Sequence, residues 1–177
     1  MTHIREIAQL GNPVLRHPAE IVTDIDSSEI QELIRVLQDT LASTQGVGIA
    51  APQISVSRQI IIIASRPSTR YPHAPLMTPT VMINPRFKAL SDDKEKDWEG
   101  CLSIPGIRAL VPRYKNILIT YTDTNGLLIE TCLEGFVARI FQHEFDHLEG
   151  KVYLDNVVDN RDIFSESEYF KFIAQTN

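Results

Sequence analysis

The stretch EGFVARIFQHEFDHLEG, Glu134–Gly150, decides how the rest of this 177-residue chain is read. It reads as one helix that begins near Glu134-Gly135 and stops at Gly150. His143 and His147 are four residues apart, so they stand one turn above each other and can grip one metal ion. Glu144 projects beside that pair, close enough to handle a proton on water held by the ion. With five His and twelve Glu in the chain, an accidental H-E-x-x-H arises in about 1% of cases. Asp146 and Glu149 read as solvated or supporting groups.

Two histidines leave such a centre short of a ligand. No histidine follows His147, and Glu166 and Glu168 fall in a different predicted element. The remaining soft donor is Cys101, in Glu99-Gly100-Cys101-Leu102-Ser103. Gly100 lets backbone approach closely there, and Glu99 and Ser103 can orient the neighbourhood. Three protein ligands with one open position is the arrangement of a hydrolytic metal site. Cys132 lacks such a setting and reads as a core residue.

Upstream of the helix, Ile117 to Thr122 alternates as a strand, Thr124-Asn125-Gly126 signals a hairpin turn, and Leu127 to Leu133 returns. An earlier helix starts at the capping candidates Asp26-Ser27-Ser28. Its apolar residues Ile30, Leu33, Ile34, Leu37 and Leu41 share one face. Gly46-Val47-Gly48 and Ala50-Ala51-Pro52-Gln53 read as a loop, and Gln59 to Ala64 as a buried strand. Residues 66–80, with prolines at 67, 72, 75 and 79, read as a long loop. Val81-Met82-Ile83 is a short strand closed by Asn84-Pro85. Ser91 to Asp97 is a charged hairpin tip, Arg108 to Val111 a strand, Val152 to Leu154 a further strand, and Ser165 to Ala174 a terminal helix. Asn12-Pro13 and His17-Pro18 mark loop boundaries. Strands before and between two principal helices predict an α+β fold in a single domain over 1–177.

Composition narrows the class. A hydrophobic share of 43% with a net charge of −6 excludes disorder throughout the chain. The longest apolar runs, such as Ile60–Ala64, fall far short of the roughly 20 residues that span a bilayer. The N-terminus shows no basic start with an apolar segment behind it, which predicts a cytoplasmic protein. The 17 basic and 23 acidic residues provide no electrostatic reason for nucleic-acid binding. A local basic patch needs the fold to gather Arg108, Arg113 and Lys115. The two cysteines match no disulfide framework.

Three segments together, Gly46-Val47-Gly48-Ile49-Ala50-Ala51-Pro52-Gln53, Glu99-Gly100-Cys101-Leu102-Ser103 and Gln142-His143-Glu144-Phe145-Asp146-His147-Leu148-Glu149-Gly150, resemble the signature motifs of the peptide deformylases. They occur in the family's order, and the likeness extends from about Ile4 to Asn156. Ile49 stands where leucine is commoner. The resemblance implies mainly antiparallel sheets packed around a central metal-binding helix. It also implies removal of the formyl group from the N-terminal methionine of new polypeptides.

Carried over residue by residue, Cys101, His143 and His147 would hold one divalent metal, Fe2+ by family expectation. The donor set itself also suits Zn2+, Ni2+ or Co2+. Glu144 would move the proton, while the Gln53 amide and the Leu102 backbone N–H would meet the oxyanion. Val47, Gly48 and Gly100 would bind the extended substrate's main chain. Phe136, Arg139 and Ile140, which precede His143 by seven, four and three residues, would line the methionine pocket, Arg139 through its stem. The expected partners are N-formylmethionyl nascent peptides and the ribosome near its exit tunnel, with no direct nucleic acid and no membrane. The expected protein is a monomer in the bacterial cytoplasm. Two other readings stay open: a metallopeptidase, weakened by the missing downstream ligand, and a non-catalytic binder of peptide N-termini, weakened by the intact Glu144 and Gln53.

Overall fold

The computed structural model describes residues 3–68 and 71–176. Its organising feature is the isoleucine run of strand β2, Ile60–Ile63, in which all four side chains are fully buried. Alternation along a strand sends successive side chains to opposite faces. Ile60 and Ile62 accordingly join one apolar cluster with helix α1 (Ser28–Ala42), while Ile61 and Ile63 join a second with helix α2 (Gly135–Leu148). A strand buried on both faces needs a continuous apolar run, and this one lies between two helices.

Helix α1 forms where the sequence places it. The Ser27 hydroxyl accepts from the Ile30 N–H at its start, and Ile30, Leu33, Ile34, Leu37 and Leu41 are buried along one face. The first sheet has five antiparallel strands in the order β1 (Gly48–Ala50), β2, β3 (Thr80–Ala89), β6 (Asn116–Thr122) and β7 (Leu128–Glu134). The second has three, β4 (Lys94–Cys101), β5 (Ile104–Tyr114) and β8 (Ile163–Ser165), also antiparallel. Helix α2 packs against β1, β2, β6 and β7 of the first sheet and β5 of the second. The expected α+β arrangement around a central helix is therefore present. A third helix, α3 (Glu166–Thr176), packs on β5 and β8.

Several boundaries differ from the sequence reading. Asn84-Pro85 does not end β3, which continues to Ala89 through a register shift between Ile83 and Arg86. Asn84 takes φ 50° there, and its side chain accepts from the Val22 N–H and donates to the Val22 carbonyl. The bulge also absorbs a proline that has no ladder N–H to give. Lys94 to Asp97 belongs to β4 rather than to a hairpin tip, with Glu95 opposite Arg113. Strand β5 is longer at both ends than Arg108–Val111. Gly48–Ala50 forms a strand because it can pair with Ile61–Ile63. Only tertiary context provides that partner. Tyr153–Asn156 and Pro13–Arg16 are short 3₁₀ turns, the latter capped by Asn12. Cys132 is exposed on β7, not in the core, because its side chain points to the sheet face opposite that on which Ile129 and Leu133 pack with α2. Among the described residues no helix is long and apolar enough to cross a membrane.

Gly150, just past α2, has φ +71° and its Cα faces the backbone of Arg16 and His17, where an added Cβ would come within 2.8–2.9 Å. Gly126, in the β6–β7 turn, has φ +79° with open space around it. Gly150→Ala should therefore cost clearly more stability than Gly126→Ala, which carries only the left-handed strain of about 1 kcal/mol. Urea midpoints of the two variants check this ordering.

Candidate active site

The site forms where the last residues of β4 meet the middle of α2. Helical spacing places the His143 and His147 rings 5.4 Å apart on the side of α2 that faces the second sheet. Strand β4 ends at Cys101 after a register shift between Glu99 and Cys101, and the chain turns back through Leu102 and Ser103. Cys101 Sγ lies 3.3 Å from His147 Nε2, and the ligand atoms of Cys101, His143 and His147 all lie within 4.8 Å of one another. The Ser103 N–H donates to the same sulfur at 3.4 Å. Burial opposes ionisation of Cys101, but the imidazoles of His147 and His143 outweigh it and hold the thiol well below its usual range.

Beneath the three donors lies a buried cluster of charges. Glu99, 4% exposed, accepts from Arg113 Nε at 2.8 Å and Arg113 Nη2 at 3.0 Å, and from Arg139 Nη1 at 2.9 Å. Burial works against its charge, yet Arg113 and then His143 overcome that and keep the carboxyl far below the usual carboxylate range. An ionised Glu99 can only accept, so its 2.9 Å contact with His143 Nδ1 places the proton on Nδ1 and leaves Nε2 as the ligand atom. Arg113 also donates to Asp146, which accepts from Asn156 as well. Two guanidiniums thus face two carboxylates.

Glu144 is buried. That burial raises its carboxyl to about 7 even though His143 and His147 pull the other way. Its Oε2 is a buried oxygen without a hydrogen-bond partner among the described residues. Gly48 of β1 lies against this carboxylate, where any Cβ would overlap it. The Gln53 side chain is fixed at both ends: Oε1 accepts from the Ala50 N–H at 2.8 Å, and Nε2 lies 3.3 Å from Ser103 Oγ and 3.5 Å from Cys101 Sγ. A half-buried thiolate with two imidazoles, beside an unsatisfied buried carboxylate oxygen, fits a borderline-soft divalent cation.

Gln53, Cys101, His143 and Glu144 line part of a cleft of about 200 Å³, with His147 buried behind them. Val47, Gly48 and Gln53 border it from β1 and the residues flanking that strand, Gly100 and Leu102 from the end of β4 and the turn after it, and Phe136, Arg139 and Ile140 from α2. Every residue singled out for substrate is thus on its wall. Arg139 reaches it only in part, because its guanidinium turns into the second sheet and donates to Glu99 and to the carbonyls of Val111 and Glu95. The cleft also takes in Tyr71, Trp98, Arg108 and Glu166, which the sequence reading did not place there. Tyr71 comes from the proline-rich loop and Glu166 from the tail, neither of which carries a local motif. Arg108, Arg113 and Lys115 form no basic patch, since each is paired with an acid: Glu166, Glu99 with Asp146, and Asp93 respectively.

A two-histidine helix with an intervening glutamate, closed by a cysteine from an antiparallel sheet above an open cleft, defines a metal-dependent hydrolase. Comparison with known proteins carries this to a family. The chain belongs to the polypeptide deformylase family, whose sequence profile matches residues 4–162. It is 51% identical over 169 residues to peptide deformylase 2 of Nostoc sp. (strain PCC 7120), covering 96% of this chain and 94% of that one. It is 43% identical to peptide deformylase 1 of Prochlorococcus marinus, over 89% of this chain and 82% of the other. Among solved structures it resembles the Met-Ala-Ser-bound class I type b peptide deformylase from Acinetobacter baumannii, with TM-score 0.86 and 38% identity over 89% of this chain and all of that one.

Because Glu99 fixes the tautomer and aim of His143, Glu99→Gln should loosen metal binding by about 10–100-fold. Competition against a chromogenic chelator reads this directly, and unchanged affinity would remove Glu99 from the support of the centre.

Proposed function

We propose that this enzyme hydrolyses the formyl amide at the N-terminus of newly made formylmethionyl polypeptides, releasing formate and a free amine. We further propose that residues 1–177 act as one catalytic domain. The observation that carries the reading is the convergence of Cys101, His143, His147 and Glu144 at one end of a cleft bordered by an edge strand. Among the described residues strand β1 pairs only with β2, so its outer edge is where an extended peptide adds as a further strand, with Val47, Gly48 and Gly100 meeting its main chain. Phe136, Ile140 and the stem of Arg139 take the methionine side chain.

Cys101, His143 and His147 would hold one divalent cation, ferrous iron being the family expectation and zinc, nickel or cobalt compatible with the donors; when bound it would supply Lewis acidity that makes water a nucleophile near neutral pH. Glu144 takes the proton from the attacking water and delivers it to the departing amine nitrogen. A carboxyl near 7 suits both halves of that transfer. As the formyl carbon becomes tetrahedral, charge gathers on its oxygen, and the Gln53 amide and the Leu102 N–H donate to it. Gln53 costs little reorganisation in this role because Ala50 already anchors its other end.

The substrate class implies work near the ribosomal exit tunnel. We propose that it acts as a monomer in the bacterial cytoplasm, without membrane or direct nucleic-acid contact.

The deciding experiment measures formate release from formyl-Met-Ala-Ser by protein purified without oxygen and assayed for metal. Release that follows iron content and stops with a chelator is expected. Bound metal without release after iron reconstitution would turn the reading towards a metallopeptidase or a non-catalytic binder, which the unformylated peptide then separates. Glu144→Ala should retain metal while kcat falls by about 10²–10⁴-fold. Gln53→Ala should lower kcat by about 10²–10³-fold at nearly unchanged metal content. Cys101→Ala should lose metal in dialysis against chelator, and Cys132→Ala, altered only on an exposed strand edge, should keep it.

A further inference from the structure

Beside Glu99, a further buried side chain bears on His143. The Tyr153 ring stacks on the imidazole, with centroids 5.7 Å apart and planes inclined by 22°, while the His147 ring meets it at 76°. Tyr153 is only 1% exposed and sits in an apolar cluster with Ile104, Ala109, Val111 and Val152. Its hydroxyl donates to the Ile107 carbonyl of β5 at 3.0 Å. The turn that carries it is tied down at two points. Asp155 accepts from the Val152 N–H at 2.8 Å, and Asn156 donates to Asp146 of α2 at 2.8 Å. The phenol is therefore held at its base by the turn and at its tip by a strand that borders the cleft through Ile107.

A hydrogen bond to Nδ1 alone does not fix the plane of an imidazole. The torsion about its Cβ–Cγ bond has broad minima, and the hydrogen bond tolerates angles well away from linear. The lone pair of Nε2 lies in the ring plane, so a swing of that plane carries it off the direction of a bound ion. A second ring packed on the imidazole face opposes the swing, because the plane cannot turn without driving its atoms into the phenol. The contact between Glu99 and His143 Nδ1 selects the nitrogen left for the metal. The stacked phenol limits where that nitrogen points.

We propose that Tyr153 is a positioning residue of the metal centre. Its ring, held by the apolar cluster and the Ile107 carbonyl, keeps the plane of His143 such that Nε2 stays aimed at the ion shared with Cys101 and His147. The inference rests on the metal-site reading above. An aromatic pair is worth a factor of about two to ten in an equilibrium constant, which sets the size of the effect.

The test uses cobalt(II) as the probe, since its visible absorption reports ligand geometry and competition with a chelator gives its affinity. Tyr153→Phe keeps the ring, Tyr153→Met fills similar space without one, and Val152→Ala opens the same apolar cluster. Tyr153→Met should shift the absorption bands and lower cobalt affinity by about twofold to tenfold. Tyr153→Phe should retain both wild-type readouts. Val152→Ala should lower the urea midpoint yet leave both unchanged. Wild-type bands and affinity in Tyr153→Met, an equal change in Val152→Ala, or a Tyr153→Phe as altered as Tyr153→Met overturns the proposal. Should Tyr153→Met fail to fold, NMR of the zinc-loaded wild type decides. His143 ring protons moved upfield by the phenol support the proposal, and protons at ordinary positions overturn it. A wild type that binds neither ion would instead overturn the metal-site reading.

Discussion

Everything at this site depends on the Glu99 carboxylate, buried beneath the metal donors and held by Arg113, Arg139 and His143. These partners come from β5 and α2, so one carboxylate on β4 joins three elements. Burying an ion this deeply is unfavourable unless it is fully paired. The two arginines and Asp146 meet that condition, with Arg113 bridging Glu99 to Asp146. What such a cluster contributes is orientation more than stability. It sets the distance between the end of β4, where Cys101 sits, and the helix that carries both histidines.

The first sheet meets a different requirement. Its two central isoleucine faces lock α1 and α2 onto opposite sides of β2. Strand β1 is thereby held against α2 with its outer edge towards the cleft. Gly48 follows from that closeness: the strand runs so near Glu144 that no side chain fits. The same proximity desolvates Glu144 and raises its pKa, so packing and acid–base chemistry have one cause.

The second sheet is completed by the tail. Strand β8 adds to β5, and α3 then brings Glu166 and Tyr169 over Arg108. A cleft bordered on one side by family motifs thus has an outer wall built from residues far along the chain.

Much of this was legible in the residues. Helical periodicity placed α1 and α2, the Thr124-Asn125-Gly126 turn placed the β6–β7 hairpin, and H-E-x-x-H with Glu99-Gly100-Cys101 identified the donors, because these signals are local or tied to the chemistry of single side chains. Misreadings fell where the partner lies far away in the chain. Gly48–Ala50 is a strand only because Ile61–Ile63 lies beside it, and β3 passes through Asn84-Pro85 because Val22 anchors the bulge. Cys132 is exposed because it points to the face of β7 away from α2. Tyr71, Arg108 and Glu166 meet only after the tail folds back, since an ion pair spanning 58 positions leaves no periodic trace. The sequence by itself singled out Cys101, His143, His147 and Glu144 as the proposed metal donors and proton carrier, from residue type, the H-E-x-x-H spacing and the resemblance of Glu99–Ser103 to a family motif. Tertiary structure alone decided which charges are buried together and what surrounds the substrate, because those depend on long-range packing.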